Sequence, residues 1–155
     1  MRKSIWAALA LAAAAIGPAA CSEAEAPVDA GPEAPEGIAV SNARLMLPAV
    51  AGNPAAVYFD VANSGASDRM IRAASVQGAG GAMMHVTEPT GMQETLQIMV
   101  KAGETVKFEP GGNHVMAMDL ADTVAAGGQT EVTVTFVGGD KVSFQAEVRA
   151  AGDER

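Results

Sequence analysis

The sequence predicts an all-β fold, an antiparallel β-sandwich over residues 38–150, and three observations carry that reading. Short apolar alternations recur from Ile38 onward, each closed by Gly, Pro, Asn or Asp, which is how a sandwich of short strands is written. No stretch after residue 37 keeps a helical period for more than a turn. The last two segments, Thr130–Val137 and Lys141–Arg149, alternate cleanly on either side of Gly138-Gly139-Asp140, the pattern of two strands joined by a tight turn.

In chain order, Ile38–Leu47 is the first expected strand, ended by Pro48 and the loop Ala51-Gly52-Asn53-Pro54. Ala56–Ala62 places Val57, Phe59 and Val61 on one face and Tyr58 and Asp60 on the other. Arg69–Val76 is a third strand. Met84–Thr87 and Met92–Met99 read as a hairpin, because Glu88-Pro89-Thr90-Gly91 puts proline and glycine where a type I turn favours them. Symmetric pairing about that turn is expected to set His85 opposite Met92. Thr105–Glu109 follows, with Val106 and Phe108 facing together, then the bend Pro110-Gly111-Gly112 and a strand over His114–Leu120. In the closing pair Val132, Val134 and Phe136, and Val142, Phe144, Ala146 and Val148, are expected inward. This amounts to eight or nine strands in one domain, with no internal repeat.

The N-terminus has the layout of an export signal. A basic start (Arg2, Lys3) precedes an apolar run from Ile5 to Ile16 and a set of small residues before Cys21. Residues 1–20 are expected to be a signal peptide, and the run is short for a membrane-spanning helix. Cys21, the only cysteine, follows Ala19-Ala20 as in a bacterial lipoprotein cleavage site, although Pro18 stands where such sites carry leucine. Lipidation of Cys21 and ordinary cleavage near Ala20 or Ala26 both fit. Residues 21–37, rich in Ala, Pro and Glu, bury too little apolar surface to fold, and are expected to form a disordered tether. The tail, 151–155, is read in the same way. The expected location is the periplasm, with membrane anchoring if Cys21 is lipidated.

Charge removes one class of partner. The formal charge is −8, and losing Arg2 and Lys3 with the signal segment makes it −10. A chain this acidic lacks the basic footprint of a nucleic-acid binder. Catalytic motifs are missing as well: there is no G-x-S-x-G, no H-E-x-x-H and no phosphate-binding loop, and two histidines leave little for acid–base chemistry. The chain is not expected to be an enzyme.

Chemistry concentrates between Met83 and Met118. That stretch holds both histidines, His85 and His114, and six of the nine methionines. His85, Met92, His114 and Met116 are the candidate metal ligands. Imidazole and thioether donors with no cysteine among them suit a soft monovalent ion, and Cu(I) above others. His114 and Met116 share a strand face. Met83, Met84 and Met99 read as packing residues, with Met84 a candidate auxiliary ligand. The same stripe also fits a plain core, because Met118 and Leu120 continue the face of His114 and Met116 and methionine is a common gap-filler.

Met92 to His114 to Met116 has the spacing Met-x21-His-x-Met, set in PGGNHVMAMDL. With GNPAAVYFDVANSG upstream and VTVTFVGGDKVSFQAEVR downstream, the chain resembles the PCu(A)C periplasmic copper chaperones over residues 38–149. The resemblance implies a cupredoxin-like β-sandwich and a monomeric carrier that holds Cu(I) on two histidines and two methionines. It implies transfer by ligand exchange to a copper-accepting protein, the copper centre of cytochrome c oxidase. The chain departs from the family at one point: six residues, not ten, separate His85 from Met92, and Leu96 stands at the family spacing. A shortened hairpin accounts for this, with Met99 as the fallback thioether. Since imidazole binds metal only when neutral, affinity is expected to fall in acid. A blue copper protein would need a thiolate, and Cys21 lies outside the domain. The remaining alternative is a β-sandwich envelope lipoprotein that binds no metal and acts as an interaction module.

Overall fold

The computed structural model describes residues 34–153. The signal segment 1–20, Cys21 with most of the tether, and the last two residues lie outside the described part. Within it the chain forms ten strands and no helix: β1 (Ile38–Met46), β2 (Ala55–Asn63), β3 (Arg69–Val76), β4 (Gly81–Glu88), β5 (Gly91–Glu94), β6 (Ile98–Val100), β7 (Thr105–Phe108), β8 (His114–Met118), β9 (Gln129–Phe136) and β10 (Lys141–Arg149). Along the hydrogen-bonded path they run β5-β4-β8-β2-β1-β10-β9-β3-β6, and β7 also pairs with β2.

The alternations read from the sequence select the core. Val57, Phe59, Val61, Val132, Val134, Phe136, Val142, Phe144, Ala146 and Val148 are all buried, and a continuous apolar interior of this kind is the main favourable term in folding. Phe59 is at its centre, stacked on Phe108 at 4.2 Å and tilted against Phe144 at 5.1 Å. Asn63 closes one end. Its side-chain amide donates to the carbonyls of Ser67 (2.9 Å) and Val100 (3.0 Å), and its Oδ1 accepts from the Gly65 N–H at 3.1 Å. A buried amide satisfied in this way ties three chain segments together.

The pairing is antiparallel with one exception: β1 runs parallel to β10, through Arg44–Met46 against Glu147–Arg149. A bulge between Ser41 and Arg44 makes this possible. Asn42 takes a left-handed φ of 56° there, a conformation asparagine tolerates, and its amide donates to Asp60 Oδ2 at 2.8 Å. Bulges bend a strand, and the second half of β1 turns to meet β10.

Two expected elements are redrawn. The single strand expected over Met92–Met99 is two strands: β5 stays beside β4, whereas β6 pairs with β3 at the other end of the strand order. The bend between them is held by Thr95, whose N–H donates to the Met84 carbonyl and whose hydroxyl donates to the Gln97 carbonyl, both at 2.9 Å. The last strand of the stretch stops at Met118 rather than Leu120, because Asp119 has a φ of 52°. Leu120 therefore leaves the face of Met116 and packs against the core.

Candidate metal centre

The site begins with an interruption in a strand. β7 and β8 lie one after the other along the same edge of β2, Phe108 pairing Phe59 and Val115 pairing Val57. Between them the chain makes an excursion over residues 109–113, closed by Glu109 N–H to Asn113 O at 2.8 Å and Gly112 N–H to Glu109 O at 3.0 Å. Gly111 turns it with a φ of 79°, which a residue with a Cβ adopts only at a cost. His114 is the first residue after the excursion, and its Nδ1 lies 3.0 Å from the Gly112 carbonyl oxygen. A carbonyl only accepts, so Nδ1 is the donor here, and in the neutral ring Nε2 is the nitrogen with the lone pair. His114 is 4% exposed, and Nε2 is buried with no protein partner.

Register brings the second imidazole beside the first. β4 pairs antiparallel with β8, and His85 stands directly opposite His114. The rings meet edge-on, centroids 5.5 Å apart with 75° between planes. His85 Nδ1 is likewise buried and without a protein partner. Tyr58 flanks His114 on the other side at 6.5 Å, with the Arg44 guanidinium 5.0 Å from the centre of the Tyr58 ring. Among the described residues no three His, Cys, Asp or Glu side chains gather into a metal cluster.

Those thioethers lie on the same sheet face. Val115 and Ala117 point into the core, so His114, Met116 and Met118 point away from it; Met84 is core, so Met83 and His85 point away. The stripe containing His114 and Met116 is therefore the outer face and not the interior. Met84, at 4% exposure on the opposite face from His85, is a packing residue and no auxiliary ligand. Met118 lies over Gly81, where an added Cβ would come within 3.2 Å of its methyl. Met99, the fallback thioether, pairs with Met70 on the β3–β6 ladder, away from the strands that carry the histidines.

The hairpin register differs from the expectation. Pro89-Thr90 is the two-residue loop, Glu88 pairs Gly91, Met92 stands opposite Thr87, and His85 stands opposite Glu94. Pairing about the true centre of the turn moves Met92 two positions along from His85. It remains on the histidine face as a diagonal neighbour, at about 7–8 Å between backbones, which a long side chain can span. Met92 is 57% exposed.

Met83 is the residue that sequence reasoning passed over. It shares the face of His85 by the same i, i+2 rule that joined His114 to Met116, it pairs directly with Met116, and it is 40% exposed. The rule was available in the sequence; the β4–β8 register that gives it meaning was not.

Fold and site together define a class: a cupredoxin-like β-sandwich that carries imidazoles and thioethers on one outer sheet face. The copper-bound PCuAC domain from PmoF2 has this fold, with a TM-score of 0.64 at 22% identity, covering 74% of this chain and 93% of that one. So does the apo PCuAC domain from PmoF1, with a TM-score of 0.67 at 22% identity over 81% and 99% of the two chains. CuI-DR1885 from Deinococcus radiodurans gives 0.64 at 21% identity over 81% and 86%. By sequence, residues 38–148 match the family described as "Putative lipoprotein LpqE-like", and the chain belongs to that family. A relative named "Putative lipoprotein Lxx21020", from Leifsonia xyli subsp. xyli, is 30% identical over 109 residues, or 67% of this chain and 64% of the relative. The match thus spans a little under two thirds of that relative's length. The PCu(A)C resemblance read from the sequence agrees with these findings.

Proposed function

We propose that this domain binds Cu(I) on His85, Met92, His114 and Met116 and hands it by ligand exchange to an acceptor in the cell envelope. The observation that carries the reading is the facing pair of histidines, each with a buried ring nitrogen that no protein group satisfies, on a sheet face lined with thioethers. An unsatisfied buried polar atom costs about 1–3 kcal/mol. A cation bound by both nitrogens, with His85 in the tautomer that leaves Nδ1 unprotonated, would offset that cost, and neutral nitrogen with thioether sulfur selects a soft monovalent ion. The likeness of the fold to a copper-bound domain and to CuI-DR1885 supports copper as the cargo.

Transfer follows from the donor types. Thioethers bind without losing a proton, so an incoming ligand can replace one with no proton or electron moved. Met92, exposed on the edge strand, is the donor an acceptor reaches first. We take the acceptor to be the copper centre of a cytochrome c oxidase. The carrier is a monomer in the periplasm, anchored by lipid on Cys21 and tethered by the segment between Cys21 and Ala34, where the described domain begins with Ala34 packed against the core. The lipoprotein family to which the chain belongs supports the anchor.

Anaerobic competition against a chromogenic Cu(I) chelator tests the reading. One equivalent of Cu(I) is expected to be retained by the wild type and lost by His114→Ala and Met116→Ala. Equal retention by all three proteins, or by none, would contradict it.

A further inference from the structure

β4 and β8 carry the same donors in mirrored order. Met83-Met84-His85 runs antiparallel to His114-Val115-Met116, and the register places His85 on His114 and Met83 on Met116. Directly opposed residues have Cβ atoms about 4.5–5.5 Å apart, and two residues along a strand span about 7 Å. The four side chains therefore form a compact rectangle on one face, with no other residue between the pairs on that face. Met83 is 40% exposed, whereas its neighbour Met84 is 4% exposed in the core. Packing accounts for Met84 and leaves Met83 without such a role.

Met92 stands on the other side of the histidines. It pairs with Thr87, two positions beyond His85, while Met116 pairs with Met83, two positions before it. The thioethers of Met116 and Met92 thus approach the imidazoles from opposite directions along the strands.

We propose that Met83 is a Cu(I) ligand. The resting site is His85, His114, Met83 and Met116, and Met92 is the donor that replaces a thioether at the sheet edge during release. This rests on the copper reading above and changes one ligand of it: Met83 takes the resting place given there to Met92, and Met92 serves release. In the exchange one Cu–S bond forms as another breaks, the copper stays monovalent, and all donors remain neutral.

The test uses protein labelled with 13C at the methionine methyls, titrated with Ag(I) as a redox-inert ion of the same charge, and in parallel with Cu(I) under anaerobic conditions. At one equivalent the Met83 and Met116 signals are expected to shift, each assigned by its loss in Met83→Leu or Met116→Leu. Met83→Leu is expected to weaken Cu(I) binding about tenfold or more, since even supporting contacts around a metal act on that scale. Met99→Leu is expected to bind as the wild type does. A Met83 signal that stays in place while those of Met92 and Met116 move would overturn the proposal and leave the copper reading standing. So would wild-type affinity in Met83→Leu. Absence of binding by the wild type would overturn both.

Discussion

His85 and His114 face each other directly across β4 and β8, ring centroids 5.5 Å apart, neither bonded to the other. Each is held differently. The Gly112 carbonyl fixes His114 through Nδ1 at 3.0 Å, whereas His85 is placed by register, between His114 on one strand and Glu94 on the next. The buried nitrogens without a protein partner are Nε2 of His114 and Nδ1 of His85.

If the 109–113 excursion sets the ring of His114, its backbone geometry governs metal affinity. Gly111→Ala meets no atom within 4 Å but must hold a φ of 79°. The expected outcome is a loss of about 1–2 kcal/mol in stability, the cost of a left-handed residue with a Cβ, with a parallel loss of Cu(I) affinity. Urea denaturation and chelator competition on the same variant measure the two.

Met92 gives the opposite expectation. At 57% exposure on a short edge strand, Met92→Leu should change stability by no more than about 0.5 kcal/mol, as surface substitutions usually do. With Met83 holding the metal at rest and Met92 serving release, the rate of Cu(I) release to a chelator should fall severalfold; a Met92 that held the metal at rest would make it rise. Stopped-flow mixing of the loaded protein with chelator reads that rate.

The core has a single centre. Phe59 touches both Phe108 and Phe144, so Phe59→Ala is expected to cost about 3–5 kcal/mol. Because Phe108 ends β7 just before the excursion, the loss should extend to the site. A lower midpoint in thermal unfolding and weakened Cu(I) binding are the readouts.

Asn63 fixes the other end. Asn63→Ala removes two donated hydrogen bonds and one accepted bond at a residue only 1% exposed. Each partner left unsatisfied costs about 1–3 kcal/mol. Since Asn63 is at the far end of β2 from Ala56, which pairs with Met116, Cu(I) affinity in the folded fraction should stay as in the wild type. Denaturant midpoint and affinity measured together separate the two effects.

Local pattern made much of the fold legible. Val57-x-Phe59-x-Val61 and the last two strands announce their buried faces because a strand's period is two. The His114–Met116 pair follows from the same rule. What the pattern did not carry was long-range register. The hairpin register was within reach, since the turn Glu88-Pro89-Thr90-Gly91 centred between Pro89 and Thr90 sets His85 against Glu94, but no local signal tells that Met83 lies on Met116. The break between β5 and β6 depends on Thr95, whose N–H bond to the Met84 carbonyl forms only once β4 is beside it. The strand end at Asp119 rests on a backbone angle that the alternation of Met116, Met118 and Leu120 conceals.

The central claim is that one Cu(I) sits between two particular nitrogens, and 15N spectra of the histidine side chains test it most directly. On adding one equivalent of Cu(I) or Ag(I), His114 Nε2 and His85 Nδ1 should shift together, while His114 Nδ1 keeps its proton on the Gly112 carbonyl. Binding that leaves both nitrogens unmoved would place the metal elsewhere and contradict the account.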